Sequence, residues 1–172
     1  MSRAPDRERL RALLAELSFE HRAVTLASGA RSDFYIDCKQ TALHPEGAAA
    51  LGHHMYAAVE RIEALTGQTA GGVGGMTLGA DPLATAVSLA AWHSGRALPA
   101  FIVRKTAKGH GTGAWVEGRR NLPDGTPVVV LEDVVTTGGT TLKAIDHIRD
   151  EHLVPVGIVC IVDRGAGGLE NL

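Results

Sequence analysis

An acidic pair followed closely by a turn rich in threonine and glycine is the part of this sequence best equipped for chemistry. The pair, Glu132 and Asp133, lies within residues 128–141, which read VVVLEDVVTTGGTT. The two carboxylates can accept hydrogen bonds from sugar hydroxyls, and the turn over residues 136–141 exposes backbone N–H groups that can surround a phosphate. Carboxylates for a sugar and amides for a phosphate, only a few residues apart, predict a site for ribose 5-phosphate.

The residues on either side of this pair predict the elements that position it. Residues 127–131 form a short apolar run rich in β-branched side chains, which is typical of a buried parallel strand. A helix is predicted over residues 139–152, so the turn lies at a helix N-terminus. The carboxylates then lie at the C-terminal end of a strand, where parallel α/β sheets bind their ligands.

Two other interpretations account for less of this segment. An ordinary helix-capping turn explains the threonines and glycines but leaves the acidic pair unexplained, and it stays the alternative. A nucleotide-binding P-loop requires Gly-Lys-Ser or Gly-Lys-Thr, and here Gly138 and Gly139 are followed by Thr140 and Thr141. The P-loop is therefore excluded.

A second segment suited to chemistry, called the cationic segment below, covers residues 104–113 and reads RKTAKGHGTG. Its donors of charge or hydrogen bonds are Arg104, Lys105, Lys108 and His110. Three glycines interrupt it, which predicts a flexible loop that closes over a ligand. Such a loop would neutralise a departing pyrophosphate, and His110 would supply a proton or a hydrogen bond near neutral pH. The alternative is an ordinary solvated run of charges.

The chain as a whole alternates between strands and helices. Its 172 residues and 45% hydrophobic content suit one compact domain over residues 1–172. Strands are predicted at residues 32–38, 71–75, 99–103, 127–131 and 156–162, and helices at residues 1–18, 45–64, 82–93 and 139–152. This alternation predicts an α/β fold in which helices cover both faces of a mostly parallel central sheet. The helix at residues 82–93 is apolar nearly all round, which predicts burial.

Composition and charge exclude several functional classes. The formal net charge of -2 gives no general attraction to nucleic acid. The sequence shows neither a signal peptide nor a membrane span, which predicts a cytoplasmic protein. Cys38 and Cys160 lie in apolar runs without metal-site spacing, so they are predicted to be buried thiols in a reducing compartment.

Three motifs in a fixed order resemble those of a known family. They are SGARSDFYID at residues 28–37, KTAKGHG at residues 105–111 and LEDVVTTGGTT at residues 131–141. From about Thr25 to Arg164 the sequence is similar to the orotate phosphoribosyltransferases, a branch of the type I phosphoribosyltransferases. The resemblance implies a type I phosphoribosyltransferase fold with a central, mostly parallel sheet flanked by helices. It also implies a small N-terminal hood (about residues 1–40), a core (about residues 41–172) and a flexible catalytic loop.

By this resemblance the protein transfers ribose 5-phosphate from phosphoribosyl pyrophosphate (PRPP) to orotate. The products would be orotidine 5′-phosphate and pyrophosphate, in de novo pyrimidine (UMP) biosynthesis. The resemblance implies Mg²⁺ as a cofactor and a homodimer that shares the loop across its interface, with no nucleic-acid or membrane partner. Two alternatives stay open, namely a phosphoribosyltransferase for another base and a PRPP-sensing regulator on the same fold. Family members usually continue past Leu172 through another apolar segment, so this is either a short member or a chain without a C-terminal piece.

The resemblance also implies a set of site residues. The catalytic residues would be Lys105, Lys108, His110, Glu132 and Asp133. PRPP would contact Arg104, Lys105, Lys108, His110, Glu132, Asp133, Val134, Val135, Thr136, Thr137, Gly138, Gly139 and Thr140. Orotate would contact Thr136, Arg164 and, more weakly, Tyr35.

Arg164 and Tyr35 can also be judged from their own positions. Arg164 follows the strand predicted at residues 156–162, so its guanidinium lies on the ligand side of the sheet and can bind a planar carboxylate through two hydrogen bonds. The alternative is a surface ion pair with Asp163 or another surface acid. Tyr35 alternates with Phe34 along a predicted strand, so only one of the two rings faces inward.

Two cations that many bacterial family members carry are absent from this sequence. Ala27 replaces one lysine, and Leu78 lies in a Thr-Leu-Gly triplet where Tyr-Lys-Gly is usual. The loop over residues 74–81 is expected to contact pyrophosphate mainly through its backbone and Thr77. Lys39 is either a replacement for one of the charges or a solvated lysine.

Overall fold

The computed structural model describes residues 6–25, 31–107 and 114–172 of the chain. Its helices are α1 (Arg7–Leu13), α2 (Cys38–Ala42), α3 (Pro45–Thr66), α4 (Asp81–His93), α5 (Gly139–Asp150) and α6 (Gly168–Asn171). Its strands are β1 (Phe19–Glu20), β2 (Val24–Thr25), β3 (Arg31–Ser32), β4 (Tyr35–Ile36), β5 (Gly72–Met76), β6 (Ala100–Val103), β7 (Val116–Glu117), β8 (Pro127–Val135) and β9 (Val154–Asp163). A π-helical turn (Leu14–Ser18) extends α1, and a 3-10 turn (Arg119–Asn121) follows β7. None of the helices in these described ranges is long and apolar enough to cross a membrane.

A five-stranded sheet, ordered β7-β6-β5-β8-β9, forms the centre of the described structure. Strands β5, β6, β8 and β9 run parallel, and β7 pairs antiparallel with β6. The mostly parallel α/β sheet predicted from the sequence is therefore confirmed. Two short antiparallel pairs, β1 with β4 and β2 with β3, precede this sheet in the chain.

Apolar side chains form a cluster on each face of the sheet. Successive residues of β8 contribute alternately to the two clusters. Val129 and Leu131 belong to a cluster with residues of α3 and α4, whereas Val128 belongs to a cluster with residues of α5. Successive side chains of a strand point to opposite faces. The next two residues continue this alternation, so Glu132 lies on the α5 face and Asp133 on the opposite one.

The prediction of one strand over residues 32–38 is wrong. The end of β3, strand β4 and the start of α2 occupy these residues instead. The Asp37 side chain accepts a hydrogen bond from the backbone N–H of Lys39 at 3.2 Å, and this contact caps a helix that the alternating pattern concealed. Cys38 is therefore a fully buried helix residue. Cys160, in β9, is only partly buried, in contrast to the prediction.

Other predicted elements differ from the structure in their extent or exposure. The strand predicted at residues 127–131 continues to Val135, because β9 pairs with it over that distance. The acidic pair therefore lies within the strand rather than after it. The helix predicted at residues 82–93 is confirmed as α4, but one side of it is not buried, since Leu89 and Trp92 are 53% and 66% exposed.

Helix α3 packs tightly against α4 at Gly52, and this contact predicts the effect of adding a single methyl group. A Cβ atom at Gly52 would lie 2.5 Å from the carbonyl oxygen of Ala86 on α4. Replacing glycine by alanine within a helix normally gains about 1 kcal/mol. Here we expect Gly52→Ala to lower the free energy of unfolding in urea by about 1–3 kcal/mol, because the added methyl group forces the two helices apart.

The control for this substitution is Ala49→Gly, at an exposed position of the same helix. This variant measures helix propensity alone and should cost about 1 kcal/mol. A Gly52→Ala protein as stable as the original would contradict the close contact between α3 and α4.

Candidate active site

A cavity of about 340 Å³ opens between the end of β8 and the start of α5. Its lining consists of Glu132, Val134, Val135, Thr136, Thr137, Gly138, Gly139, Thr140, Thr141 and Lys143. The structure therefore brings Glu132 and the predicted residues 134–140 together around one space. Asp133, the other member of the acidic pair, lies on the opposite face of β8.

The turn between β8 and α5 is built to present backbone N–H groups to this cavity. Gly138 caps α5 with a φ of 80°, a left-handed conformation that favours glycine. The N–H groups in the first turn of a helix have no partners within that helix, and the helix dipole attracts anions to them. Asn171 on α6 supports the turn from behind, because its side-chain amide donates to the carbonyl oxygen of Thr137 at 3.0 Å. This arrangement suits a phosphate group.

Glu132 is a buried carboxyl at the inner side of the cavity, with 4% of its surface exposed. Its Oε2 accepts a hydrogen bond from the hydroxyl of Thr141 at 2.9 Å, and its Oε1 accepts one from the backbone N–H of Asp133 at 3.3 Å. Burial, and to a smaller extent the Asp133 side chain, raise the pKa of Glu132 to about 7, although the bond from Thr141 opposes this shift. Glu132 therefore exchanges its proton near neutral pH.

Asp133 has different surroundings from Glu132, although the two are adjacent in sequence. Its Oδ1 accepts a hydrogen bond from the backbone N–H of Val134 at 2.9 Å. Gly79, in the loop before α4, lies so close that an added Cβ would be 2.5 Å from the same oxygen. The ammonium of Lys39 lies 4.0 Å from Oδ2. Backbone and one cation therefore surround Asp133, on the side of the sheet away from α5.

Arg164 follows β9 and lies beside the end of β8, where the sequence places it. Its backbone N–H donates to the carbonyl oxygen of Val135 at 3.0 Å. Its Nη2 donates to Ser32 Oγ at 2.7 Å and to the carbonyl oxygen of Phe34 at 3.2 Å, and the guanidinium covers the Phe34 ring at 4.4 Å. The alternative pairing with Asp163 is absent from the ion pairs of the described residues. Arg164 therefore joins the end of the sheet to the short strands of residues 19–36.

Phe34, rather than Tyr35, is the aromatic ring next to Arg164. The Phe34 ring also stacks on Phe19, with 5.5 Å between the ring centroids. Tyr35 is covered by the guanidinium of Arg22, which lies 4.3 Å from the centre of its ring. The contact of Tyr35 with orotate stays a prediction.

The described part of the cationic segment begins directly after β6. The backbone N–H of Arg104 donates to the carbonyl oxygen of Trp115 at 2.8 Å, and its Nη1 lies 2.6 Å from Oε1 of Glu117. Arg104 is therefore held by strand β7 and the residue before it, whereas Lys105 is exposed. The predicted site residues Lys108 and His110, together with Ala27, lie outside the described residues.

The loop between β5 and α4 places a carboxylate near the other predicted site residues. The hydroxyl of Thr77 donates to Oδ2 of Asp81 at 2.8 Å. Oδ1 of Asp81 is buried and has no hydrogen-bond partner among the described residues. Leu78, at the position where many relatives carry a lysine, is 66% exposed. The contact of this loop with pyrophosphate stays a prediction.

Sequence reasoning missed three contacts of this site. They are the bonds from Thr141 to Glu132, from Asn171 to Thr137 and from Arg164 to Ser32. The paired residues are 9, 34 and 132 positions apart, and no helix or strand periodicity predicts their pairing. The motifs LEDVVTTGGTT and SGARSDFYID did mark Glu132, Thr141 and Ser32 as residues of interest, but not their partners.

The buried carboxyl of Glu132 predicts an unusual dependence of stability on pH. A carboxyl whose pKa is raised from 4.5 to about 7 on folding destabilises the folded state progressively as the pH rises through that range. Glutamine carries no such charge, and it keeps an oxygen acceptor and gains donors that can reach Thr141. We expect Glu132→Gln to melt at least about 3 °C above the original protein at pH 8, with the difference shrinking toward pH 5.

Differential scanning calorimetry between pH 5 and pH 8 measures this effect, and Glu46→Gln is the matched control. The Arg9 guanidinium lowers the pKa of Glu46, so this control should lose stability above about pH 4.5, the opposite sign. Equal melting temperatures of the Glu132→Gln variant and the original at pH 8 would show that burial does not penalise the Glu132 charge.

Known proteins are similar to this chain in sequence and architecture. Residues 73–171 match the family model of the phosphoribosyl transferase domain. An orotate phosphoribosyltransferase from Sorangium cellulosum is 51% identical over 172 residues, which cover 98% of this chain and 85% of that protein. The crystal structure of the Mycobacterium tuberculosis H37Rv orotate phosphoribosyltransferase with Fe(III) dicitrate has a TM-score of 0.78 at 40% identity, covering 97% of this chain and 89% of that one. The same enzyme in complex with PRPP has a TM-score of 0.74 at 36% identity, covering 97% and 88%.

These similarities extend over nearly the whole chain and include the strand, turn and helix that form the cavity. They agree with the order of the three motifs and with the mostly parallel sheet. The chain therefore belongs to the orotate phosphoribosyltransferases, within the phosphoribosyltransferase family.

Proposed function

We propose that this chain transfers ribose 5-phosphate from PRPP to orotate, forming orotidine 5′-phosphate and pyrophosphate for de novo pyrimidine synthesis. The observation that carries this proposal is the cavity in which the Glu132 carboxyl meets the amide-rich turn before α5. A carboxyl and a cluster of backbone N–H groups match the hydroxyls and the 5-phosphate of one ribose 5-phosphate. Arg164, at the neighbouring strand end, adds a cation for a base that carries a carboxylate.

Each part of the substrates has a place in this arrangement. The 5-phosphate binds the N–H groups of residues 136–140, and the ribose hydroxyls donate hydrogen bonds to Glu132 and Asp133. Arg164 binds the orotate carboxylate, and Thr136 contacts the orotate ring. In support, the hydrogen bonds of the Arg164 side chain to other described residues use Nη2 alone, so Nε and Nη1 stay available for a carboxylate.

The chemical step is a substitution at the anomeric carbon of the ribose. A bond forms from N1 of orotate to that carbon, and the bond from the carbon to pyrophosphate breaks, so that pyrophosphate leaves with the electron pair. The N1–H bond of orotate breaks as well, and its proton passes to an oxygen of the departing pyrophosphate or to water. Positive charge builds on the ribose in the transition state, and the acidic pair stabilises it. No protein nucleophile takes part. Lys105, Lys108 and His110 offset the negative charge of the departing pyrophosphate.

Mg²⁺ accompanies PRPP in this proposal. Within the described residues, no group of three or more His, Cys, Asp and Glu side chains is placed to hold a metal ion. In this proposal the ion would take most of its ligands from pyrophosphate oxygens, ribose hydroxyls and water, as Mg²⁺ commonly does. When bound, the ion would neutralise part of the charge on the leaving pyrophosphate.

A homodimer that shares the cationic segment across its interface completes the proposal. Of the described residues 104–107, none lines the cavity, and Arg104 is paired with Glu117 instead. Cations supplied by a second copy of the chain would fill this gap. We place the enzyme in the cytoplasm, where the free thiols of Cys38 and Cys160 stay reduced.

The choice of base is tested by incubating the purified protein with PRPP, Mg²⁺ and one base at a time. We expect kcat/KM for orotate to exceed that for adenine, hypoxanthine and uracil by at least about 100-fold, because only orotate offers a carboxylate to Arg164. Orotate consumption is followed by its ultraviolet absorbance, and pyrophosphate release serves for the other bases. Faster reaction with a purine would contradict the proposal, and PRPP binding without turnover of any base would favour a PRPP-sensing regulator.

The role of the cationic segment is tested by Lys105→Ala. We expect kcat to fall by about 100-fold or more, because the side chain stabilises charge that develops on the leaving group. The melting temperature should change by less than about 1 °C, because Lys105 is exposed and packs against no core residue. The matched control is Arg120→Ala, which removes an exposed cation in the 3-10 turn. Equal kcat values for the Lys105→Ala protein and this control would remove Lys105 from the mechanism.

A further inference from the structure

The ammonium of Lys39 lies between two carboxylates that belong to different elements. Its Nζ is 2.6 Å from Oδ1 of Asp37, at the start of α2, and 4.0 Å from Oδ2 of Asp133, in β8. The Lys39 side chain is 38% exposed, so it is neither a freely solvated lysine nor a buried one. Of the two interpretations that the sequence allows for this residue, the structure favours a lysine that belongs to the site.

Local structure fixes where this ammonium lies. Asp37 accepts a hydrogen bond from the backbone N–H of Lys39 at 3.2 Å and pairs with its side chain, so both residues are held in the first turn of α2. The intervening Cys38 is fully buried, which fixes the orientation of that turn. Burial, and to a smaller extent the nearby Asp133, raise the pKa of the Cys38 thiol to about 12. The thiol therefore stays neutral and adds no negative charge here. The Lys39 ammonium supplies the positive charge between Asp37 and Asp133.

The geometry of Asp133 leaves one of its oxygens for Lys39. Oδ1 accepts a hydrogen bond from the backbone N–H of Val134 at 2.9 Å, and Gly79 packs against the whole carboxyl group. Oδ2 faces the ammonium at 4.0 Å, a distance for an ionic contact rather than a direct hydrogen bond. A ribose hydroxyl or a water molecule can then share Oδ2 with Lys39 without displacing it.

The acidic pair is therefore asymmetric. Among the described residues, the ion pairs of Asp133 include the ammonium of Lys39, whereas Glu132 is bonded to the neutral hydroxyl of Thr141 on the other face of β8. On the Asp133 side, Lys39 lies between the carboxylates of Asp37 and Asp133. Without this ammonium, Asp37 and Asp133 would repel one another across the gap.

We propose that Lys39 is a positioning residue for the transfer reaction, which holds the Asp133 carboxylate in the direction of the PRPP ribose and separates it from Asp37. This inference rests on the proposed function, because it assigns Asp133 to the ribose. It also gives the chain a cation beside its acidic pair that neither Ala27 nor Leu78 provides. Loss of the ammonium would turn Oδ2 of Asp133 away from Asp37 and misplace its hydrogen bond to the sugar.

Lys39→Met and Lys39→Arg test the inference, because methionine keeps the length of the side chain without its charge and arginine keeps the charge. For Lys39→Met we expect kcat/KM for PRPP to fall about 30-fold, within the range that misplacement of a catalytic group produces. KM for orotate should stay within about twofold, because orotate binds Arg164 rather than the acidic pair. Lys39→Arg should recover most of kcat/KM for PRPP.

Affinity for PRPP, measured by calorimetry without orotate, gives a second readout that does not depend on turnover. Lys39→Met should weaken PRPP binding by about tenfold, and Lys39→Arg should restore it. The matched control is Arg9→Met, which removes a cation paired with Glu46 on the surface between α1 and α3 and should leave both values unchanged. All melting temperatures should agree within about 2 °C, since exposed ion pairs contribute little stability.

The outcomes separate this inference from the proposed function. A Lys39→Met protein with unchanged PRPP affinity and unchanged kcat/KM would overturn the inference, and so would equal losses in Lys39→Met and Lys39→Arg with lowered melting temperatures. An original protein that binds PRPP but does not use orotate would overturn the proposed acceptor, while PRPP binding to the variants would still decide the role of Lys39. An original protein that binds no PRPP would overturn both.

Discussion

Strand β8 has helices packed over both of its faces, and its side chains must therefore alternate between two apolar layers. Val129 and Leu131 face the layer with α3 and α4, whereas Val128 faces the layer with α5. This alternation continues through the acidic pair, since a shift by one residue would move every core side chain to the wrong face. The separation of Glu132 from Asp133 is thus a consequence of core packing, and the contacts of the site follow from it.

The two carboxyls meet different physical environments because of this separation. Glu132 enters a layer that excludes water, where an ionised carboxylate is costly, and its partners are a hydroxyl and a backbone N–H. The Asp133 side chain lies between Gly79, in the loop before α4, and the Lys39 ammonium at the start of α2. Two adjacent acids therefore have different capacities to hold charge, which is a common way for enzymes to assign different roles to a pair of carboxyls.

The parts of this structure that are encoded locally were predictable from the sequence. The parallel sheet follows from apolar runs alternating with helical periodicity, and the turn between β8 and α5 follows from residues 136–140, which are contiguous. The start of α2 was not predictable, because the alternation of residues 32–38 imitates a strand and the capping by Asp37 becomes visible only in three dimensions. The end of β8 was missed for a related reason, since its length is set by pairing with β9. The partners of Arg164 and Glu132 depend on tertiary contacts that no spacing reveals.

The turn between β8 and α5 depends on residues that the ribosome adds much later than the turn itself. Gly168 lies so close to it that an added Cβ would be 2.5 Å from the carbonyl oxygen of Thr136, and Asn171 donates to Thr137. Ser32 likewise meets its partner Arg164 only 132 positions later in the chain. A nascent chain that has emerged only through α5 would contain every residue of the turn but would lack the contacts from Gly168 and Asn171. The complete turn accordingly requires β9 and α6, which both follow α5 in the chain.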